Sequence, residues 1–357
     1  MPICVHILQN AQPECTGICR MIASIAKHSH PVGYETSVLF FGDGPLVLAM
    51  KDAGISADVV SWAATRRDLA GAWRVWRWLR KHPAEIAHVH HGGLTVRAVC
   101  RMAGVSAIVQ HIHGRILEPT GDPISQMDFR AVDAIIACSQ AVADCLPGRH
   151  AEVIYAGVET TSHPPAAATL TGPLKLGVLA RLIPLKNVES LINATSRLAS
   201  LGIEVQAEIA GSGPSETSLR DLAASLGVAD RVRFLGWQVD VDRLLVSWDL
   251  LVIPSLEEGF PLSALEAMAA ARPVVASRVG GLSELVVDGV TGRLLPPGDT
   301  DALVHCLAEL ASDRQRLALM GAEGCKRVQS HFSAELMARR TAELYDRLLD
   351  RRKHRTA

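Results

Sequence analysis

Two glutamates eight residues apart, Glu258 and Glu266, stand in EEGFPLSALEAMAAARPVVASRVGG (residues 257–281). The small residues from 262 to 271 read as a helix. On that helix the neighbours of Glu266, three and four positions away, are Leu262, Ser263, Ala269 and Ala270, none of them a cation. A carboxylate on an apolar face needs a partner. Adjacent sugar or ribose hydroxyls would supply one, because a carboxylate accepts several hydrogen bonds. A structural ion pair to a distant Arg or Lys would serve equally. Glu258-Gly259-Phe260-Pro261 reads as a turn, with Pro261 in the first turn of the helix. Backbone N–H groups from Gly259 to Leu262 would then point outward and favour an anion.

Three further segments carry chemistry-bearing residues. In LGVLARLIPLKN, Arg181 follows a strand and Lys186 precedes a helix starting near Val188. Two cations beside a helix N-terminus suit a phosphate, or else are solvated loop charges. In AEIAGSGP, Gly211 and Gly213 allow a tight turn and close ligand approach, as would an ordinary strand-to-helix turn. After VRFLG, Trp237 could carry a flat nucleobase or be a partly buried surface tryptophan. A glycosidase would explain the two glutamates as acid and nucleophile, but would leave Arg181, Lys186 and the free amides without a role.

The elements that must position these residues are legible in the alternation of short apolar runs and helical patterns. ICVHIL, ETSVLFF, AHVHH, AIVQHIH and AIIACS are strands of a first half; LKLGVLA, VQAEIAGSG, VRFLG, LLVIPS, PVVAS and GRLLP of a second. Such runs suit parallel sheets covered on both faces, so each half is expected to be a doubly wound α/β domain. A length of 357 residues agrees with two domains. The expected boundaries are an N-terminal domain over residues 1–158, a Pro/Ala/Thr-rich linker over 159–173 and a C-terminal domain over 174–335. A final helix over 336–357 is expected to pack back on the N-terminal domain. The net charge of −1 lacks the basic footprint of a nucleic-acid partner. The eight cysteines are scattered, and C-x3-C at Cys15 and Cys19 has no second pair, so reduced buried thiols are expected. No apolar run reaches the length of a membrane span, and MPICVHILQN has no leader pattern; a cytoplasmic protein is expected.

The ordered array LARLIPLKN, AGSGP, LGW and IPSLEEGFPLSALEAMAAARPVVASRVGGLSELVVDGVTGRLLPPGD resembles the C-terminal domain of family 4 retaining glycosyltransferases. The resemblance implies the GT-B fold, two Rossmann-like domains facing a central cleft, and sugar transfer from a nucleotide-diphosphate sugar to an acceptor hydroxyl. It matches Glu258 and Glu266 to an E-x7-E signature. By this resemblance Arg181 and Lys186 bind the donor diphosphate, Glu258 contacts donor-sugar hydroxyls and Glu266 holds the ribose. Gly259, Phe260, Pro261 and Leu262 match the loop that offers backbone amides to sugar and phosphate. AIVQHIHGR resembles the strand whose closing histidine faces the donor sugar, which assigns His113 with His111 as alternate. The first loop, QNAQPECTGICR, departs from the family by carrying Gly17 alone where a glycine pair is usual.

The implied reaction retains anomeric configuration, needs no metal or other cofactor and has no protein nucleophile. The implied partners are a nucleotide-sugar donor and a carbohydrate or lipid-linked acceptor, in polysaccharide, lipopolysaccharide or glycolipid biosynthesis. The segment RRDLAGAWRVWRWLRKHPAE interleaves Trp73, Trp76 and Trp78 with Arg74, Arg77 and Arg80. It reads as a surface helix packed by its tryptophans, or as a peripheral membrane contact. A non-catalytic nucleotide-sugar-binding or scaffold protein of the same fold, and another GT-B enzyme such as an epimerase or phosphorylase, are the rival functions.

Overall fold

Runs of three to six residues, mostly aliphatic, build both sheets, and most are buried on both faces, as parallel strands under helices must be. The computed structural model describes the chain except residues 66, 118–121, 147, 161–171, 239 and 357. Two units result: Met1–Gly157 together with Ala334–Ala357, and Val158–Ser333. Most of the stretch expected as a linker, 161–171, lies outside the described residues.

In the first unit the strands are β1 (Ile3–Leu8), β2 (Glu35–Phe40), β3 (Ser56–Val59), β4 (Ile86–Val89) and β5 (Ala107–Ile112). A short antiparallel pair, β6 (Ile116–Leu117) and β7 (Asp122–Pro123), precedes β8 (Ala134–Ala137) and β9 (Ala151–Val153). The main sheet is parallel, in the order β3-β2-β1-β4-β5-β8-β9. Strands β3 and β9 were not expected from sequence: SADV and AEV are short, polar and partly exposed, so neither shows an apolar run. The C-terminal helix Ala334–Thr356 belongs to this unit. It packs on the helix Thr16–Ser29, and Tyr34 donates from its hydroxyl to Asp346 at 2.6 Å.

The second unit contains β10 (Leu174–Leu179), β11 (Val205–Ala210), β12 (Val232–Gly236), β13 (Leu250–Ile253), β14 (Val274–Ser277) and β15 (Gly292–Leu295). They form a parallel sheet in the order β12-β11-β10-β13-β14-β15. Gly177 in β10 makes room for the buried Trp248, since a Cβ there would lie 1.9 Å from the indole. The indole donates to Glu208 at 2.9 Å. In each sheet the order reverses beside the first strand, between β1 and β4 and between β10 and β13. Ligands of open α/β sheets bind at such switch points, outside the carboxyl ends of the strands.

The helix Leu69–Lys81 buries Gly71, Val75 and Leu79. Trp76 and Trp78 donate to the Met102 carbonyl and to Asp58, while Trp73 is 55% exposed under the Arg77 guanidinium. Two of the three tryptophans therefore pack on the unit. No helix of the described residues is long and apolar enough to cross a membrane. Seven of the eight cysteines are buried and Cys145 is half-buried; none forms a disulfide.

The core of the first unit holds four buried histidines: His6 on β1, His88 on β4 with His90 just beyond it, and His111 on β5. Burial lowers His6 to about 3 and holds His88, His90 and His111 well below the ordinary histidine range, helped by their neighbours' charge. These groups are neutral in the fold and titrate normally, near pH 6.5, in the unfolded chain. Below that pH the unfolded chain binds more protons, so stability present at neutral pH is lost as pH falls from about 6.5 toward 3. The expected loss is about 1.4 kcal/mol per histidine for each pH unit. Urea unfolding followed by tryptophan fluorescence at pH 7.5, 6 and 5 checks this. His6→Leu should flatten the slope, and a level stability from pH 7.5 to 5 would contradict it.

Candidate functional site

The loops after β10 and β13, on either side of the switch point, are tied together. The Leu256 amide donates to the Leu185 carbonyl at 2.8 Å, and the Asn187 side-chain amide to the Pro254 carbonyl at 3.1 Å. Asn187 adopts the left-handed conformation at φ 48°, which closes the short turn Pro184–Lys186 and aims the chain into the helix Glu189–Ser200. Asparagine tolerates this conformation better than most residues. Lys186 is thereby presented to the end of β13, where its ammonium meets the Glu258 carboxylate at 2.6 Å. The Ser255 hydroxyl donates to the same carboxylate oxygen at 2.7 Å.

Glu258 forms an ion pair, and its partner is Lys186, 72 residues earlier. Its side chain is 9% exposed and that of the lysine 17%, so the two charges sit with little water around them. Sequence considered both residues as ligand contacts without foreseeing that they touch. Sequence reasoning also missed Ser255 and Asn187, although both stand in the quoted segments.

The loop bearing Glu258 is held from its other side by the turn after β14. Gly280 has φ 46°, and a Cβ there would lie 1.8 Å from the Glu258 carbonyl oxygen. The Gly281 amide donates to the Gly259 carbonyl at 3.0 Å. Phe260 is buried and packs on Phe332, with ring centroids 5.5 Å apart. Pro261 corrects the sequence expectation: it is the N-cap, extended at φ −74° and ψ 122°, and the helix runs Leu262–Ala269. That helix ends earlier than residue 271 because Ala271 turns left-handed at φ 54° and Arg272 precedes a proline. No side-chain hydrogen bond caps its start, and the Ala264 amide donates to the Pro261 carbonyl at 3.2 Å. Glu266 is half-buried, one turn inside this helix.

Arg181 is half-buried just beyond β10. Gly211 and Gly213 lie alongside it: a Cβ on Gly211 would lie 1.8 Å from the Ala180 carbonyl, and one on Gly213 2.4 Å from that of Leu182. The protein backbone itself therefore demands both glycines. Trp237 follows the edge strand β12, two strands from β10, and is 46% exposed.

In the first unit, the corresponding edge carries histidines. His113 is half-buried just after β5, and its Nε2 is 2.8 Å from His90 Nδ1. His111, the alternate, points into the core, where its Nδ1 is 3.0 Å from His88 Nε2. The fully buried Arg97 ties the loop after β4 to its neighbours through the carbonyls of Gly92, Asp128 and Arg130 and the Gln110 side chain. Two triads, Cys4/His6/His88 and His88/His90/His111, bring possible metal-ligand atoms within 4.8 Å of one another.

Two family models match the chain: Glycosyltransferase Family 4 over residues 16–162 and Glycosyl transferases group 1 over residues 161–327. A lipopolysaccharide core biosynthesis mannosyltransferase of Rhizobium meliloti is 32% identical over 241 residues, covering 63% of this chain and 68% of that protein. A D-inositol 3-phosphate glycosyltransferase of Streptomyces avermitilis is 31% identical over 316 residues, 80% of this chain and 67% of that one. Among solved structures, Anabaena HepE in complex with UDP and glucose superposes with a TM-score of 0.82 at 21% identity, covering 97% of this chain and 100% of that one. With this order of strands and these matches in both halves, the chain belongs to the family 4 glycosyltransferases, the glycosyl transferases group 1, and has their GT-B fold.

Proposed function

We propose that this glycosyltransferase moves a sugar from a nucleotide-diphosphate donor to a hydroxyl of a carbohydrate or lipid-linked acceptor, with retention of configuration and without a metal. The observation that carries the proposal is the Lys186–Glu258 pair at the β10/β13 switch point, beside the uncapped helix Leu262–Ala269. A cation, a hydroxyl acceptor and a helix N-terminus in one place suit a ligand that is both phosphate and sugar. The relatives named for mannosyl and inositol phosphate glycosyl transfer, and the UDP and glucose held by Anabaena HepE, support the same ligand class.

As the bond from the anomeric carbon to the diphosphate oxygen breaks, negative charge collects on the leaving group. Lys186, Arg181 and the amides of Gly259, Phe260 and Leu262 are assigned to stabilise it. Glu258 is assigned to the hydroxyls of the donor sugar, with Lys186 turning partly from the carboxylate toward phosphate. Glu266 takes the ribose, Gly211 and Gly213 admit the nucleotide, Trp237 carries its base, and His113 faces the sugar. The acceptor oxygen bonds to the anomeric carbon on the face the diphosphate leaves, and its proton passes to a diphosphate oxygen. No protein nucleophile is needed.

The limited exposure of the pair decides which variants test it. Alanine at either position would strand a charge in a poorly hydrated place and destabilise the unit. Glu258→Gln and Lys186→Met keep the volume. Each still leaves the partner's charge unpaired, so a lowered melting temperature is expected together with a kcat about 10²–10³-fold lower, about 2.7–4 kcal/mol in the barrier for Lys186, with the rate read well below that temperature. Glu257→Gln, one residue away, should turn over normally. Wild-type rates in both site variants would refute the assignment.

Stereochemistry and metal dependence are read in one assay. Proton NMR of the first-formed product should show the donor's anomeric configuration, and EDTA should leave the rate unchanged. An inverted product would overturn the same-face mechanism, and a rate abolished by EDTA and restored by Mg²⁺ or Mn²⁺ would overturn metal independence.

A further inference from the structure

His113 ends a row of three histidines drawn from three adjacent strands of the first unit. His6 Nδ1 lies 2.8 Å from His90 Nε2, and His90 Nδ1 lies 2.8 Å from His113 Nε2. Along the strands the rings stack, His88 on His90 at 4.5 Å and 8° and His111 on His113 at 4.2 Å and 22°, while across the row His90 and His113 lie edge to edge, 5.1 Å between centroids and 18° from parallel. Stacked rings set their in-plane lone pairs side by side rather than toward one point. Two nitrogens on one tetrahedral ion at about 2.0–2.1 Å would also stand about 3.3 Å apart, farther than either contact in this row. The row is hydrogen-bonded.

A neutral imidazole has one N–H and one bare nitrogen, so the protons along the row must all run the same way. His6 decides which. Its Nε2 is buried and has no partner among the described residues. If the row ran from His113 toward His6, that atom would be an orphaned N–H, which buried protein groups rarely tolerate. If it runs from His6 toward His113, the orphan is a bare nitrogen, the less costly case. His6 then donates to His90, His90 donates to His113, and the His113 proton is confined to Nδ1.

We propose that His6 and His90 are positioning residues that hold His113 as its Nδ1–H tautomer, presenting only a hydrogen-bond donor to an oxygen of the bound ligand. This rests on the reading of His113 as the group facing the donor sugar. The consequence is specific: with Nε2 occupied by His90 and Nδ1 protonated, the ring has no nitrogen able to take the acceptor hydroxyl's proton. His113 recognises an oxygen of the sugar and is not a general base.

Two-bond ¹H–¹⁵N correlation spectra of protein labelled with ¹⁵N-histidine test this, with His113 identified by the signals lost in His113→Gln. The expected wild-type spectrum at pH 7.5 shows His113 as the Nδ1–H form. His90→Phe should shift it toward Nε2–H and lower kcat roughly tenfold, with KM for the donor changed less. His90→Asn, whose amide N–H stands near the lost Nδ1–H, should restore both. An Nε2–H form of His113 in the wild type overturns the proposal, and so does an unchanged tautomer in His90→Phe. If His90→Phe does not fold, the wild-type spectrum decides alone. An Nδ1–H form together with normal turnover by His113→Gln would uphold the positioning role and sink the placement of His113 at the donor sugar.

Discussion

A lysine ammonium and a glutamate carboxylate 2.6 Å apart, largely shielded from water, make an arrangement that the second unit has to be built around. Removing two charges from water costs several kcal/mol each, and their attraction offsets this only when the geometry is tight and remaining lone pairs are satisfied. The structure supplies the tight geometry through its strand-end loops. Asn187 and Leu256 lock the two strand-end loops in register, Ser255 supplies a further hydrogen bond, and Gly280 lets the third loop approach to backbone contact. A group held so firmly is pre-organised: little reorganisation is left to pay for when a ligand replaces one ion with another.

The two sheets reach comparable ends by different chemistry. At the β10/β13 switch point the strand-end loops carry opposite charges and a helix start that no side chain caps. At the β1/β4 switch point they carry neutral imidazoles, stacked and hydrogen-bonded within a core that keeps them uncharged. The first pattern suits a charged ligand. The second suits a neutral, hydroxyl-rich one, whose oxygens are better met by single directed hydrogen bonds than by full charges.

Strand runs, the division into two α/β halves and the cluster of chemistry-bearing segments in the second half were legible in the sequence, because apolar periodicity and turn residues are local signals. Strands β3 and β9 were not, since SADV and AEV have too few apolar residues to register. The helix end at Ala269 was misjudged by two residues, the left-handed turn at Ala271 having no residue-type signature. The contact between Lys186 and Glu258 depends on strand order, which brings β10 next to β13 across 72 residues of sequence. The histidine row depends on it too: HVHH and HIH are visible as alternating patterns, but only the adjacency of β1, β4 and β5 stacks them.

The C-terminal helix Ala334–Thr356 gives the first unit a discontinuous chain, and this bears on the order in which the protein is made. Tyr345 on that helix hydrogen-bonds His88 and Cys4, two residues of the innermost strands of the first sheet. During synthesis from the N-terminus, β1 and β4 emerge long before their tyrosine does. The whole second unit, Val158–Ser333, is translated in between, with every strand of its own sheet contiguous in the chain. The strands of that unit are complete in the chain before Tyr345 is translated, while Cys4 and His88 gain their tyrosine partner only once the helix Ala334–Thr356 follows.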